Sequence, residues 1–163
     1  MKSLRLLIAA SFFASFSALA MDIQVHDAYV RAVPPTAAVT AAFMEIHNAS
    51  DKNRALVSAS SAAAEAVELH THTNVDGVMQ MRQVKQIDLA ANSITLLQPG
   101  GLHIMLIGLK QPLKMGDKVL VSLKLDDGSL LELDLPVRKM AGKMNRHNNQ
   151  HNYQHGQQHG QQH

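Results

Sequence analysis

Between residues 23 and 137 apolar and polar positions alternate in short runs, and clusters of Pro, Gly, Asn, Asp or Ser close most of them. A period of two is the pattern of a half-buried strand, whose successive side chains face opposite ways. Strands are predicted over 25–31, 40–47, 54–60, 67–73, 78–87, 94–98, 102–109, 118–125 and 130–137. Val33-Pro34-Pro35 ends the first, because proline cannot donate to a ladder. Phe43, Met44 and Ile46 are candidate core residues of the second, and Asn48-Ala49-Ser50-Asp51 is its turn. The alanine-rich stretch 61–66 suits a helical turn as well as a strand and stays open. Asn74-Val75-Asp76-Gly77 and Asp126-Asp127-Gly128-Ser129 carry the Asp-Gly chemistry of hairpins. Short strands spaced by roughly 8–12 residues predict an all-β sandwich or Greek-key barrel.

The two ends break this pattern. Lys2 and Arg5 precede an apolar run over 6–19, and Ala18-Leu19-Ala20 places small residues where a signal peptidase reads. The run falls short of the ~20 residues a spanning helix needs, so residues 1–20 are expected to be a cleaved signal peptide. Residues 21–137 then form one domain. Residues 138–163 are dominated by Asn, Gln, Gly and His, and with almost no apolar surface to bury they are expected to form a disordered tail.

Composition narrows the function. Removing Lys2 and Arg5 leaves 13 basic residues against 13 acidic ones, and no Lys/Arg stripe with interleaved aromatics suggests a nucleic-acid partner. The sequence contains no cysteine. No disulfide can brace the fold, no lipobox anchor is expected, and thiolate copper centres and thiol–disulfide exchange are excluded. The serines at 58, 60 and 61 belong to no nucleophile elbow, and no carboxylate pair suggests acid–base catalysis. The protein is not expected to be an enzyme.

What remains is a set of paired metal ligands: His70-x-His72, Met79-x-Met81 and His103-x-Met105. Residues two apart on a strand share a face. A hairpin centred on the four-residue loop 74–77 sets His70 opposite Met81 and His72 opposite Met79, with directly opposed Cβ atoms roughly 4.5–5.5 Å apart. A nearby strand carrying His103 and Met105 completes two imidazoles and two thioethers. Thioether is a soft, neutral donor that favours Cu(I) over Zn²⁺, Mg²⁺ or Ca²⁺. Methionine is also a common core gap-filler, and the histidine partners are what weigh against that reading here. His72 and Met79 are assigned supporting or spare places. His26 and His47 read as isolated structural or surface histidines, and Met44 and Met115 as packing. In the tail His147, His151, His155, His159 and His163 recur every fourth residue, with Met140 and Met144 extending the period upstream. A flexible run of imidazoles suits borderline ions, Cu(II) above all.

The spacing His70–x10–Met81–x21–His103-x-Met105 resembles the signature of the periplasmic copper chaperone family called PCuAC. Val67-Glu68-Leu69-His70, Gly77-Val78-Met79-Gln80-Met81-Arg82 and the segment from Pro99 to Leu106 are similar as well, as is the Pro-Pro and Ala-Ala-Phe-Met stretch between Val30 and Asn48. The resemblance implies a cupredoxin-like β-barrel that binds one Cu(I) through His70, Met81, His103 and Met105. It implies delivery of copper to the copper-bearing subunit of cytochrome c oxidase, with Sco-type thiol proteins as co-workers, and a Cu(II) site on a His/Met-rich tail. The histidine at 72 and the predominance of histidine in the tail depart from the pattern. A periplasmic sequestration or resistance protein, with the tail as a Cu(II) sponge, is the alternative.

Overall fold

The structure, a computed structural model, describes residues 22–140. The expected signal peptide, the domain's first residue Met21, and the tail candidates Met144, His147, His151, His155, His159 and His163 lie outside the described residues; Met140 is the last described and is exposed. Among the described residues every regular element is a strand: β1 (Ile23–Arg31), β2 (Val39–Asn48), β3 (Arg54–Ser60), β4 (Ala64–Val75), β5 (Val78–Gln83), β6 (Ile87–Leu89), β7 (Ser93–Leu97), β8 (His103–Leu109), β9 (Lys118–Leu125) and β10 (Leu130–Arg138). The all-β expectation holds.

Two sheets form, in the order β5-β4-β8-β2-β1 and β10-β9-β3-β6. They are joined by a short parallel ladder in which Val30 pairs with Val137 and Arg31 with Arg138. One edge of β2 serves two partners end to end: residues 39–42 pair with β8 and residues 44–48 with β7. Pro99 and Gly100 break the chain between those partners, and Gly100 takes a φ of +81°, open to glycine at no steric cost.

The core follows from the alternation. On β9, Val119, Val121, Leu123 and Leu125 are buried while their neighbours point outward. On β8, Ile104 and Leu106 are fully buried and meet Leu69, Ile46 and Leu56 in the same cluster. Burying such a side chain stabilises the fold by about 1.5–3 kcal/mol, which is how the domain dispenses with disulfides.

Three local readings change. The predicted strand over 78–87 divides: β5 stays beside β4, whereas β6 crosses to pair with β3, because Ile87 and Leu89 need a buried face that β5 does not have. The open stretch 61–66 resolves into a turn and the start of β4. On β1 the register shifts between His26 and Tyr29, where Asp27 takes a φ of +49° and Arg138 holds its carbonyl and carboxylate. Phe43, Met44 and Ile46 are buried as expected, but Phe43 lies on the opposite face of β2 from Met44 and Ile46, outside the main core.

Candidate metal centre

The face of the first sheet turned away from the core gathers the candidate ligands. On β8 the residues between Ile104 and Leu106 alternate outward, so His103 and Met105 share this face. Antiparallel pairing with β4 sets His70 directly opposite His103 and Glu68 opposite Met105. Thus β4 presents Glu68, His70 and His72 in a row on the same side.

The β4–β5 hairpin corrects the predicted register. Its loop is the two residues Asp76 and Gly77, with φ of +52° and +82°, and Val75 pairs with Val78. Positive φ at both central positions is the primed turn that Asp-Gly favours, so the β-branched valines stay in the ladder and no four-residue loop opens. Met81 therefore faces His72, Met79 faces Asn74 and His70 faces Gln83. A two-residue slip preserves the face, so Met81 still lies on the histidine side. Its nearest imidazole by register is His72, and Met105 stands four residues of β4 away, level with Glu68. The two thioethers flank the imidazoles from opposite ends.

The histidines themselves converge. The ring of His103 lies 5.8 Å from that of His70 and 5.1 Å from that of His72, centroid to centroid. Two imidazoles on one tetrahedral ion, with metal–nitrogen bonds near 2.0 Å, have centroids about 5 Å apart. As the side chains stand, no group of three His, Asp or Glu among the described residues encloses a single point.

Hydrogen bonds decide which nitrogens are free. Nδ1 of His103 lies 2.9 Å from the carbonyl oxygen of Gly101, which can only accept, so that nitrogen carries the proton and Nε2 keeps its lone pair. Nε2 of His70 lies 2.7 Å from a carboxylate oxygen of Glu68, which leaves Nδ1 bare by the same logic. His103 is 2% exposed, and burial pushes its pKa below the ordinary histidine range despite the Gly101 carbonyl, with His72, His70 and Arg31 adding to the downward shift. It is neutral at pH 7, the form that binds metal.

Three ring nitrogens are buried with no hydrogen-bond partner: Nδ1 of His70, Nδ1 of His72 and Nε2 of His103. A buried ring nitrogen left without a hydrogen-bond partner costs about 1–3 kcal/mol. A cluster of three on one face suits a cation. The sulfurs fit too: Met81 is 47% exposed and Met79 55%, so neither fills a core. Met105 is half-buried beside Ala41 of β2, and the buried ring of Phe43, 6.3 Å from His103, closes the inner side.

Sequence reasoning gave no role to Glu68 or the Gly101 carbonyl and ranked His72 low. The Glu-x-His-x-His spacing on one strand was the available signal. It also read His26 and His47 as isolated, yet adjacent β1 and β2 bring their rings to 4.4 Å, with Glu45 3.4 Å from His47.

A profile of the LpqE-like family matches residues 23–137. The chain belongs to the LpqE-like family. A relative from Leifsonia xyli subsp. xyli (strain CTCB07), itself named as a lipoprotein, is 37% identical over 121 residues, covering 74% of this chain and 72% of the relative. The solution structure of Cu(I)-bound DR1885 from Deinococcus radiodurans is 38% identical, covers 75% of this chain and 82% of that one, and superposes with a TM-score of 0.62. The copper-bound PCuAC domain of PmoF2, at 19% identity and a TM-score of 0.62, covers 74% and 95% and shares the fold. This LpqE-like protein therefore has the cupredoxin-like β-sandwich of PCuAC domains, as its sequence motifs implied.

Proposed function

We propose that the protein is an exported copper carrier that holds Cu(I) at His70, Met81, His103 and Met105 and delivers it in the periplasm. The receiving site would be the copper-bearing subunit of cytochrome c oxidase, directly or through a Sco-type thiol protein. The observation that carries the reading is the set of buried imidazole nitrogens without hydrogen-bond partners, on a face flanked by the exposed thioether of Met81 and the half-buried one of Met105. The Cu(I)-bound relative at 38% identity supports copper as the cargo. A neutral His/Met donor set suits a monovalent soft ion and survives an oxidising compartment, where thiolates pair. The chemistry is ligand exchange and not catalysis. Met81 sits on an edge strand, so an incoming thiolate can displace the labile thioether first, with the buried imidazoles releasing last. The tail histidines would add Cu(II) capacity.

Two measurements test this. In anaerobic Cu(I) titration against a chelator, the protein takes one tight equivalent, and Met81→Leu weakens it sharply; full affinity in that variant would remove Met81 from the site. Mixed with an apo-acceptor bearing thiolates, the loaded protein passes on its Cu(I) within seconds to minutes. Retention instead, with copper sensitivity and intact oxidase on deletion, would favour sequestration.

A further inference from the structure

His72 has no place in the four-ligand set, yet it is as well positioned as any member of it. It shares the face of His70, two residues along β4, and its ring lies nearer to that of His103 than the ring of His70 does, at 5.1 Å against 5.8 Å. Its direct cross-strand partner is Met81. Its Nδ1 is buried and unpartnered, like the free nitrogens of the other two rings. Its backbone N–H reaches the carbonyl of Gly101 at 3.3 Å, the same oxygen that fixes the His103 ring, so one carbonyl ties the His72 backbone and the His103 imidazole together.

A core-packing role does not account for this. A histidine placed for packing alone would satisfy its buried nitrogen with a hydroxyl or a carbonyl. Thr71 and Thr73 point to the other side of β4, and the Glu68 carboxylate is engaged with His70. The partnerless Nδ1 of His72 lies on the same face as Nδ1 of His70 and Nε2 of His103, with ring centroids 5.1 and 5.8 Å from His103, and the rings must turn before all three meet at one ion.

We infer that His72 is a fifth donor of this centre, and that it gives the domain itself a Cu(II) site made of the His70, His72 and His103 imidazoles. The inference rests on the copper reading above. Imidazole is a borderline donor that serves Cu(II) well, whereas thioether favours Cu(I). Two imidazoles with Met81 and Met105 make a Cu(I) set; three imidazoles, with the thioethers released, make a Cu(II) set in the same place. Either ion binds as supplied, and no electron moves in the binding step. The domain would then accept copper in both oxidation states without calling on the tail.

The test uses the full chain with His147, His151, His155, His159 and His163 replaced by Asn, so that tail imidazoles do not compete for Cu(II). One equivalent of Cu(II) is expected to bind, and pulsed electron paramagnetic resonance should count three coordinated imidazoles. Adding His72→Gln should weaken Cu(II) binding about tenfold or more and reduce the count to two, while Cu(I) affinity moves far less than it does in Met81→Leu. Two imidazoles before substitution at position 72, or Cu(II) affinity unchanged in His72→Gln, overturns the inference. The imidazole count needs no change at position 72, so it decides the matter even if that variant folds poorly. Loss of the inference leaves Cu(I) binding intact, whereas failure of the Cu(I) titration in the unsubstituted chain and in Met81→Leu alike strikes the underlying reading.

Discussion

Glu68 shows how a residue with no metal-binding role of its own can set the behaviour of the centre. Its carboxylate accepts from Nε2 of His70 at 2.7 Å, which leaves Nδ1 as the ring nitrogen without a partner. Such partners raise ligand basicity and hold ring orientation, and their loss costs about 10–100-fold in metal affinity. Glu68→Ala should weaken Cu(I) binding by that order in a chelator competition, with little change in melting temperature, because the carboxylate is only partly buried. An unchanged affinity would mean that His70 is oriented by packing alone. That His70, Met81, His103 and Met105 share one face was legible because strand periodicity assigns faces. Glu68 and Gly101 were not, since an orienting hydrogen bond has no composition signal and a backbone carbonyl has no sequence signal at all.

Turns did more than link strands. Asn48 reads in sequence as the first residue of a turn, yet it is buried: its amide nitrogen donates to the carbonyls of Lys52 and Leu89, and its oxygen accepts from the Ser50 backbone and hydroxyl. It pins the end of β2 to β6. Asn48→Ala leaves the buried Leu89 carbonyl without this donor and should cost about 1–3 kcal/mol in urea unfolding. At the β9–β10 turn Asp127 is held down to about 2, first by the Ser129 hydroxyl, then by the Ser129 backbone N–H and by Arg54. The sign follows from proton uptake. Below about pH 4 the unfolded chain protonates this carboxylate while the folded chain does not, so its contribution is complete above that value and fades as pH falls through 2. Ser129→Ala should raise the Asp127 pKa in a carboxyl NMR titration; an unmoved value would leave the backbone N–H of residue 129 and Arg54 as the causes. The strand segments themselves were readable from alternation. The division of 78–87 was not, because sheet membership depends on which distant strand, here β3, offers Ile87 and Leu89 a buried face. The β4–β5 register was missed because two left-handed residues close a loop that four appeared to fill.

At the scale of the molecule, copper chemistry and folding are assigned to opposite faces of one sheet. The core cluster of Ile46, Leu56, Ile104, Leu106 and Leu123 lies on one side, and the imidazoles with Met81 and Met105 lie on the other. A carrier must be emptied and refilled without unfolding, and this separation permits it. Two substitutions should therefore dissociate the properties. Leu123→Ala removes a fully buried side chain and should cost about 2–5 kcal/mol with or without copper, while leaving Cu(I) affinity near that of the parent. Met81→Leu changes an exposed side chain and should leave the melting temperature of the copper-free protein unmoved. On the proposed reading Cu(I) binds the folded chain in preference to the unfolded one, so at a thousandfold excess over Kd it should add about 4 kcal/mol, a rise on the order of ten degrees. That rise should persist in Leu123→Ala and shrink in Met81→Leu. Calorimetry of the three proteins, loaded and unloaded, reads all of these effects together. Were removal of copper alone to unfold the parent, the metal would be a structural staple and the carrier reading would lose its physical basis.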